Sequence, residues 1–267
     1  MLKKPLVSIL IASYNKEKFV KRCLKSCLNQ SYKNIEIIFF DDASTDCSYY
    51  LAKRYKKIKT FRTKRKKDKI IFNTYFQINT YLQAYKKSKG QIIAFLDSDD
   101  FFQKNKIDYI VKFFQNNQSS NILFDRPIIF FSKKNFYYSE NYKYTGNKSL
   151  WPRFPPQSCI SIRRNFFNKI IPEIKNRNFS LLTLDFRLAT ISKVIYKDFK
   201  ILNKHLTFYY QDKKGESYSK FKKFNRNWWL RRMQAHKYMK YILKKNKLNY
   251  FFNVDYLITK IASLILN

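Results

Sequence analysis

Glycine is scarce in this chain of 267 residues, which contains only three. A P-loop and a G-x-G-x-x-G dinucleotide loop each need closely spaced glycines, so both sites are excluded. Histidine is equally scarce, because His205 and His236 are the only two. They lie far apart in the sequence, which excludes an HExxH motif and a three-histidine zinc site.

The four cysteines include no C-x-x-C pair, and we expect them to be reduced, mostly buried thiols of a cytoplasmic protein. No apolar run reaches the roughly 20 residues that are needed to cross a bilayer. The N-terminus imitates a signal peptide only faintly, because the apolar run at residues 6–12 is short and no small-residue cleavage site follows it.

Acidic residues are few: 18 of them stand against 55 lysines and arginines, which gives a net charge of +37. Such an excess attracts nucleic acid, anionic lipid or phosphorylated ligands. The same excess is expected from an A/T-rich genome, because the codons of the abundant lysine, asparagine, isoleucine, phenylalanine and tyrosine are A/T-rich. One alternative function is therefore a basic protein that binds nucleic acid or an anionic membrane without catalysis. No nucleic-acid-binding motif is present, so we expect no specific nucleic acid partner.

The pattern of apolar runs in the first hundred residues indicates an α/β fold. Short apolar segments at residues 6–12, 35–40 and 91–97 are typical of strands buried on both faces of a sheet, and residues 58–63 are predicted to form a strand between the second and the last of these. Segments with helical periodicity separate several of them, and one such helix follows the first strand. Alternating strands and helices predict parallel strands joined by right-handed crossovers.

The fourth of these strands ends on Asp97, Asp99 and Asp100, and the rest of the chain is organised around it. Ligands of open α/β sheets bind off the carboxyl ends of the strands. If the chain stays extended, Asp97 and Asp99 share one face and Asp100 points to the other. Two carboxylates on one side suit a hard divalent cation that also binds substrate phosphates. The alternative is a solvated acidic turn after a core strand.

Three segments together carry a family likeness. Residues 7–15 read VSILIASYN, residues 34–46 contain DDASTD, and residues 90–100 contain DSDD. In this order and spacing they resemble the family 2 glycosyltransferases, which have the GT-A fold. Residues 158–164 and 184–187 resemble the acceptor half of that family more loosely.

The resemblance implies a GT-A-type three-layer α/β sandwich with a mostly parallel central sheet, followed by a C-terminal helical extension. We expect a catalytic domain over residues 1–219. Its nucleotide-sugar half spans about residues 1–100 and its acceptor half about residues 101–219. A basic, aromatic-rich helical tail occupies residues 220–267.

The resemblance also assigns roles to four residues. Tyr14 matches the ring beside the nucleotide base, with a packed strand-end tyrosine as the alternative. Asp42 matches the carboxylate that accepts from the N–H of the base, which a uracil offers. The alternative for Asp42 is an acid that flanks a helix. Asp97 matches the residue near the ribose, and Asp99 the ligand of a Mg²⁺ or Mn²⁺ that bridges the diphosphate.

The acceptor hydroxyl needs a general base, and Asp185 stands where the family places its catalytic acid. A helix-start aspartate is the alternative reading of Asp185. The rival bases are Glu173, Asp198 and Glu216. A single displacement with one base inverts the anomeric configuration, as the resemblance also implies.

The expected function is therefore a metal-dependent, inverting glycosyltransferase that uses a nucleotide-sugar, with UDP favoured. Its acceptor is a hydroxyl of a glycan or lipid-linked glycan, as in cell-surface polysaccharide or lipopolysaccharide synthesis. A nucleotidyltransferase with a related sheet is a further alternative, but the turn after the first strand lacks the glycine-rich loop that such an enzyme needs.

Two positions depart from the family pattern. Ala12 stands where a proline is common, and Asp212 replaces an expected histidine after the last strand. If that histidine serves to bind the diphosphate, the substitutes are Arg62, Lys213 or Lys214.

Residues 220–245 are predicted to form a very basic helix with interleaved aromatic residues. This composition suits the interface of an anionic membrane at the inner face of the cell. The alternative is a helix that packs on the catalytic domain through Trp228 and Leu230, with its charges solvated.

Overall fold

The computed structural model describes residues 4–63, 73–131, 137–139, 153–211, 220–250 and 254–265. The strands are β1 Val7–Ser13, β2 Ile35–Asp41, β3 Ile58–Arg62, β4 Ile92–Asp97, β5 Phe101–Phe102, β6 Ile122–Phe131, β7 Tyr137–Ser139, β8 Ile160–Arg163 and β9 Lys200–Gln211. The α-helices are α1 Glu17–Leu28, α2 Ser48–Lys53, α3 Asn73–Lys86, α4 Lys106–Asn116, α5 Arg164–Ile174, α6 Leu184–Thr190, α7 Arg226–Lys245 and α8 Val254–Ile265.

One sheet runs through the molecule in the strand order β3-β2-β1-β4-β8-β6-β9-β5, with β7 paired to β6. The first four strands in this order are parallel, as the alternating pattern predicts. Beyond β4 the sheet is mixed, because β8 is antiparallel to both β4 and β6 whereas β6 and β9 are parallel. The predicted α/β fold class is confirmed.

Helices cover both faces of the sheet and make three layers. Alternate residues of the central strands point to opposite faces, so Leu10 and Phe95 join one hydrophobic cluster and Ile9 and Phe39 join the other. The first cluster includes side chains of α3, α5, α6 and α7, and the second includes side chains of α1, α2 and α4.

The first helix of the predicted tail is part of this core. On α7 the buried side chains Ala235, Tyr238, Met239 and Ile242 belong to the first cluster. The predicted domain boundary after residue 219 adjoins residues that are not described, and it stays a prediction. Among the described helices, none combines the length and the apolar character that a membrane span requires.

Candidate active site

The chain turns immediately after β4, and this turn gathers three carboxylates. The strand ends at Asp97, and the backbone N–H of Asp100 donates to the Asp97 carbonyl at 3.0 Å. The expectation that Asp100 points away from Asp97 and Asp99 assumed an extended chain, whereas the backbone turns at these residues. Burial, followed by the charges of Asp99 and Asp97, raises the pKa of Asp100 well above its usual range.

Three donors surround the Asp97 carboxylate. Its Oδ1 accepts from the Tyr81 hydroxyl at 2.8 Å, from Gln77 Nε2 at 2.8 Å and from Gln157 Nε2 at 3.1 Å. Burial is the main cause that raises the pKa of Asp97 to about 7, and the charge of Asp99 adds to it. The charge of Asp185 raises this pKa as well, so α6 brings Asp185 near the end of β4.

Asp99 forms an ion pair at the carboxyl ends of the central strands. Its Oδ2 lies 2.6 Å from Lys16 Nζ, which belongs to the loop between β1 and α1. The Asp99 side chain is 19% exposed, so its carboxylate is accessible to solvent. Burial lowers the pKa of Lys16, but the Asp99 carboxylate, together with the charges of Asp97 and Asp100, outweighs burial and the pKa is raised overall.

Asp100 connects the turn after β4 to two neighbouring segments. It is buried, and its carboxylate accepts from the Ser158 hydroxyl at 2.5 Å and from the Tyr210 backbone N–H at 2.8 Å. These contacts tie the β4 turn to the segment before β8 and to β9, so Asp100 holds the site together.

The loops that follow β1 and β2 are joined to each other at the same edge. The backbone N–H of Asn15 donates to Ser44 Oγ at 2.9 Å, and the N–H of Thr45 donates to Asn15 Oδ1 at 2.8 Å. Asn15 and Ala43 adopt left-handed φ angles of 52° and 55°. Such residues mark sharp turns that the surrounding contacts must hold in place.

Both aspartates at the end of β2 are buried, but they have different partners. Asp41 is completely buried, and it accepts from Ser44 and pairs with Arg62. Asp42 is 6% exposed and accepts from the Thr63 hydroxyl at 3.1 Å. Tyr14, at the end of β1, is 38% exposed, so its ring is not buried in the core as the packed alternative required.

Asp185 lies in the first turn of α6, as expected. Burial raises the pKa of its carboxyl, whereas the Thr183 hydroxyl and the Arg231 charge lower it. The rivals have other partners, because Glu173 pairs with Lys245 and Asp198 accepts from the Asn121 backbone N–H. The third rival, Glu216, lies outside the described residues, as do Asp212, Lys213 and Lys214.

Several site residues were not predicted. Gln77 and Tyr81 both bind Asp97 and lie four positions apart on α3, which is a spacing that places them on one helix face. Tyr209, on β9, lies close to the acidic residues. Its pKa is raised well above the usual value, first by burial and then by the charges of Asp100, Asp185, Asp97 and Asp99. No pattern in the sequence links β9 to the β4 turn. Arg62, offered as a diphosphate ligand, pairs with Asp41, and its role toward the diphosphate stays a prediction.

The acidic residues suit a metal ion that takes some of its ligands from the protein and the others from a substrate. In the described part of the chain, no three histidine, cysteine, aspartate or glutamate residues could enclose a metal ion by themselves. Mg²⁺ is commonly bound through one or two carboxylates plus substrate phosphates, and the accessible Asp99 carboxylate suits that arrangement.

The chain is similar in sequence to known glycosyltransferases. The chain is 29% identical over 228 residues to the UDP-Glc:α-D-GlcNAc-diphosphoundecaprenol β-1,3-glucosyltransferase WfaP of Escherichia coli, a match that covers 83% of each protein. It is 33% identical over 115 residues to the putative teichuronic acid biosynthesis glycosyltransferase TuaG of Bacillus subtilis, which covers 41% of this chain and 42% of TuaG.

Solved structures show the same fold. TarS of S. aureus in complex with UDP-GlcNAc superposes with a TM-score of 0.61 at 15% identity, over 97% of this chain and 71% of the TarS chain. A mannosyltransferase from Pyrobaculum calidifontis, in complex with GDP-Man and Mn²⁺, gives a TM-score of 0.57 at 12% identity, over 99% of this chain and 70% of that one. These likenesses confirm the expected GT-A-type fold.

The family model described as Glycosyl transferase family 2 matches residues 8–182. This range includes β1, β2 and β4 with the acidic residues that follow them, so the resemblance noted in the sequence motifs is confirmed. Because the match covers more than half of the chain, the protein belongs to glycosyl transferase family 2 and is a glycosyltransferase.

Proposed function

We propose that this enzyme transfers a sugar from a UDP-sugar to a hydroxyl of a lipid-linked glycan, with a divalent cation and with inversion of configuration. The observation that carries the proposal is the gathering of acids from β4 and α6, since Asp99 and Asp185 both raise the pKa of Asp97. The relative WfaP supports the donor and acceptor classes, because its name states UDP-Glc and a diphosphoundecaprenol-linked sugar.

The donor nucleotide would bind where β1 and β2 end. The exposed Tyr14 ring offers a face on which a base can stack. The Asp42 carboxylate would accept from the imide N–H of uracil in a charge-assisted hydrogen bond. Asp97, held by Tyr81 and Gln77, would lie near the ribose.

Asp99 would hold the Mg²⁺ or Mn²⁺, with the remaining ligands from the diphosphate and water. When bound, the cation would supply Lewis-acid stabilisation of the charge on the departing diphosphate. Lys16 pairs with that carboxylate, so the lysine and the bound cation would compete for Asp99.

Asp185 would act as the general base. As the acceptor oxygen forms its bond to the anomeric carbon, the hydroxyl proton passes to the Asp185 carboxylate. The bond between that carbon and the diphosphate oxygen breaks in the same displacement, and the nucleoside diphosphate leaves with the electron pair. Attack opposite to the leaving group inverts the anomeric centre.

We place this reaction in the cytoplasm. All four cysteines, Cys23, Cys27, Cys47 and Cys159, are free thiols, which is typical of a reducing compartment.

A thermal-shift panel of nucleoside diphosphates with and without Mn²⁺ tests the donor site. We expect UDP with Mn²⁺ to give the largest shift and Asp99→Ala to abolish the Mn²⁺ contribution. Incubation with a UDP-sugar and a GlcNAc-diphosphate-lipid analogue then tests transfer, and NMR of the product reports its anomeric configuration. Equal indifference to every nucleotide would refute the donor site, and a retained configuration would refute the single displacement.

A further inference from the structure

The last described helix is oriented with its apolar side outward. The outward side chains of α8 follow a helical stripe, and each is more than half exposed. They are Val254, Leu257, Ile258, Ile261, Leu264 and Ile265. We refer to these six residues as the apolar stripe. The opposite side of α8, which faces the protein, buries the polar Thr259 and Ser263.

Polar contacts fix this orientation. The Asp255 carboxylate pairs with Arg232 and lies 2.9 Å from His236 Nε2, so the first turn of α8 is attached to α7. The His236 ring also contacts the Tyr250 hydroxyl at 2.8 Å through Nδ1. Since the other side of α7 packs in the core, α8 forms an outer layer of the molecule. Water is a poor environment for six aliphatic side chains in one stripe, which marks the stripe as an interaction surface.

Charge indicates what covers the stripe. Residues 220–250 contain eleven lysines and arginines and no aspartate or glutamate. The only charged residues of α8 itself are Asp255, which faces α7, and the exposed Lys260 beside the stripe. A second copy of a chain with a net charge of +37 would meet strong electrostatic repulsion. An anionic bilayer would instead attract the basic segment while the stripe enters the interface.

We propose that the apolar stripe of α8 binds the surface of an anionic phospholipid bilayer. The helix lies in the plane of the interface, with Leu257, Ile258 and Ile261 among the acyl chains and the lysines of α7 near the headgroups. This inference moves the membrane contact from the aromatic residues of 220–245, which the sequence indicated, to the next helix. It goes beyond the proposed sugar transfer and does not depend on it.

Vesicle flotation of the full chain tests the proposal without any nucleotide. We expect the protein to float with phosphatidylglycerol vesicles at low salt, to float less at high salt, and not to float with phosphatidylcholine alone. The combined variant Leu257→Ser, Ile258→Ser and Ile261→Ser should lower the partition coefficient at least about tenfold. Tyr50→Ser removes a similarly exposed ring from α2 and should bind as the original protein does.

A second variant distinguishes the stripe from the basic helix. The emission of Leu257→Trp minus that of the original protein, which has three tryptophans, should be blue-shifted by anionic vesicles and quenched by brominated lipid. Unchanged flotation of the serine variant, or an unshifted Leu257→Trp spectrum despite flotation, would overturn the proposal. The proposal would also be overturned if the original protein bound no vesicles but formed a dimer that the serine variant did not form. Thermal unfolding and the UDP-induced shift of each variant are measured without lipid, so a failed donor site and a failed membrane site give different results.

Discussion

The Lys16 ammonium lies 2.6 Å from the Asp99 carboxylate, and this ion pair joins the loop after β1 to the turn after β4. Both residues therefore stand at the carboxyl edge of the parallel half of the sheet. Lys16 neutralises the carboxylate that we propose as the metal ligand.

Replacing Lys16 by methionine should lower the Mn²⁺ concentration needed for the half-maximal UDP thermal shift. The pair is partly exposed, and such pairs contribute up to about 1 kcal/mol, so we expect a change of about two- to fivefold. Lys18→Met, on the exposed side of α1, is the matched control and should leave the Mn²⁺ requirement unchanged. A higher Mn²⁺ requirement in Lys16→Met would contradict competition and indicate that Lys16 binds the diphosphate.

Replacing Asp42 by alanine should weaken UDP binding about tenfold or more, because a hydrogen bond to a charged group contributes about 1.5–3 kcal/mol. Cytosine lacks the imide N–H, so binding of CDP should change little and the preference for UDP should disappear. Calorimetric titration with both nucleotides gives the comparison. Thr63→Val removes the hydroxyl that donates to Asp42 but keeps the carboxylate, and it should keep the preference. An equal loss for UDP and CDP would argue against base recognition by Asp42.

The strands that carry the site could be predicted because their apolar runs are short and end on acids. The turn after Asp97 could not, since alternation along an extended strand says nothing about where the strand stops. The amphipathic helix α5 was not predicted, although its buried residues Phe166, Phe167 and Ile170 follow a helical spacing. It follows β8 without a linker and contains Pro172, which obscures the pattern.

The residues that contact the acidic side chains could not be predicted from the sequence, for a different reason. Lys16 and Asp99, or Tyr209 and the β4 turn, meet only because the sheet brings distant strands together. Residue type alone does not select one lysine or tyrosine among so many. The family resemblance predicted the site residues by their positions in the motifs, and their roles stay predictions. These residues are Tyr14, Asp42, Asp97, Asp99 and Asp185.

The acid limb of the pH–rate profile should report Asp185. Burial raises the pKa of this carboxyl, so the carboxylate that serves as base is lost at a higher pH than for an ordinary aspartate. The rate should therefore fall as the pH falls through that raised pKa. Asp185→Asn should lower kcat by about 100-fold or more with little change in UDP binding.

Arg231 provides a test of this assignment. Its charge lowers the pKa of Asp185, so Arg231→Gln should move the acid limb of kcat to higher pH. Lys237→Gln, an exposed position on the same helix, should leave the limb in place. If Arg231→Gln changed only KM, or lowered kcat equally at every pH, the link between Arg231 and the base would be excluded.

A buried ion pair close to the turn after β4 should contribute strongly to the free energy of unfolding. Lys106 Nζ lies 2.7 Å from Asp125 Oδ2, and it also donates to the Ser158 carbonyl at 2.7 Å and to Thr207 Oγ1 at 2.6 Å. Both charged side chains are essentially inaccessible to water. Removing one partner leaves an uncompensated buried charge, so Lys106→Met should lower the free energy of unfolding by about 3–5 kcal/mol.

Urea unfolding measures this loss, and the double variant Lys106→Met with Asp125→Leu should recover much of it, because no unpaired charge remains. Lys112→Met, at an exposed position of the same helix α4, should change stability by less than about 0.5 kcal/mol. Ser158 also donates to Asp100, so the single variant should loosen the acidic turn and weaken Mn²⁺-dependent UDP binding along with stability. A double variant no more stable than Lys106→Met would show that the hydrogen bonds of Lys106, rather than its charge, stabilise this region.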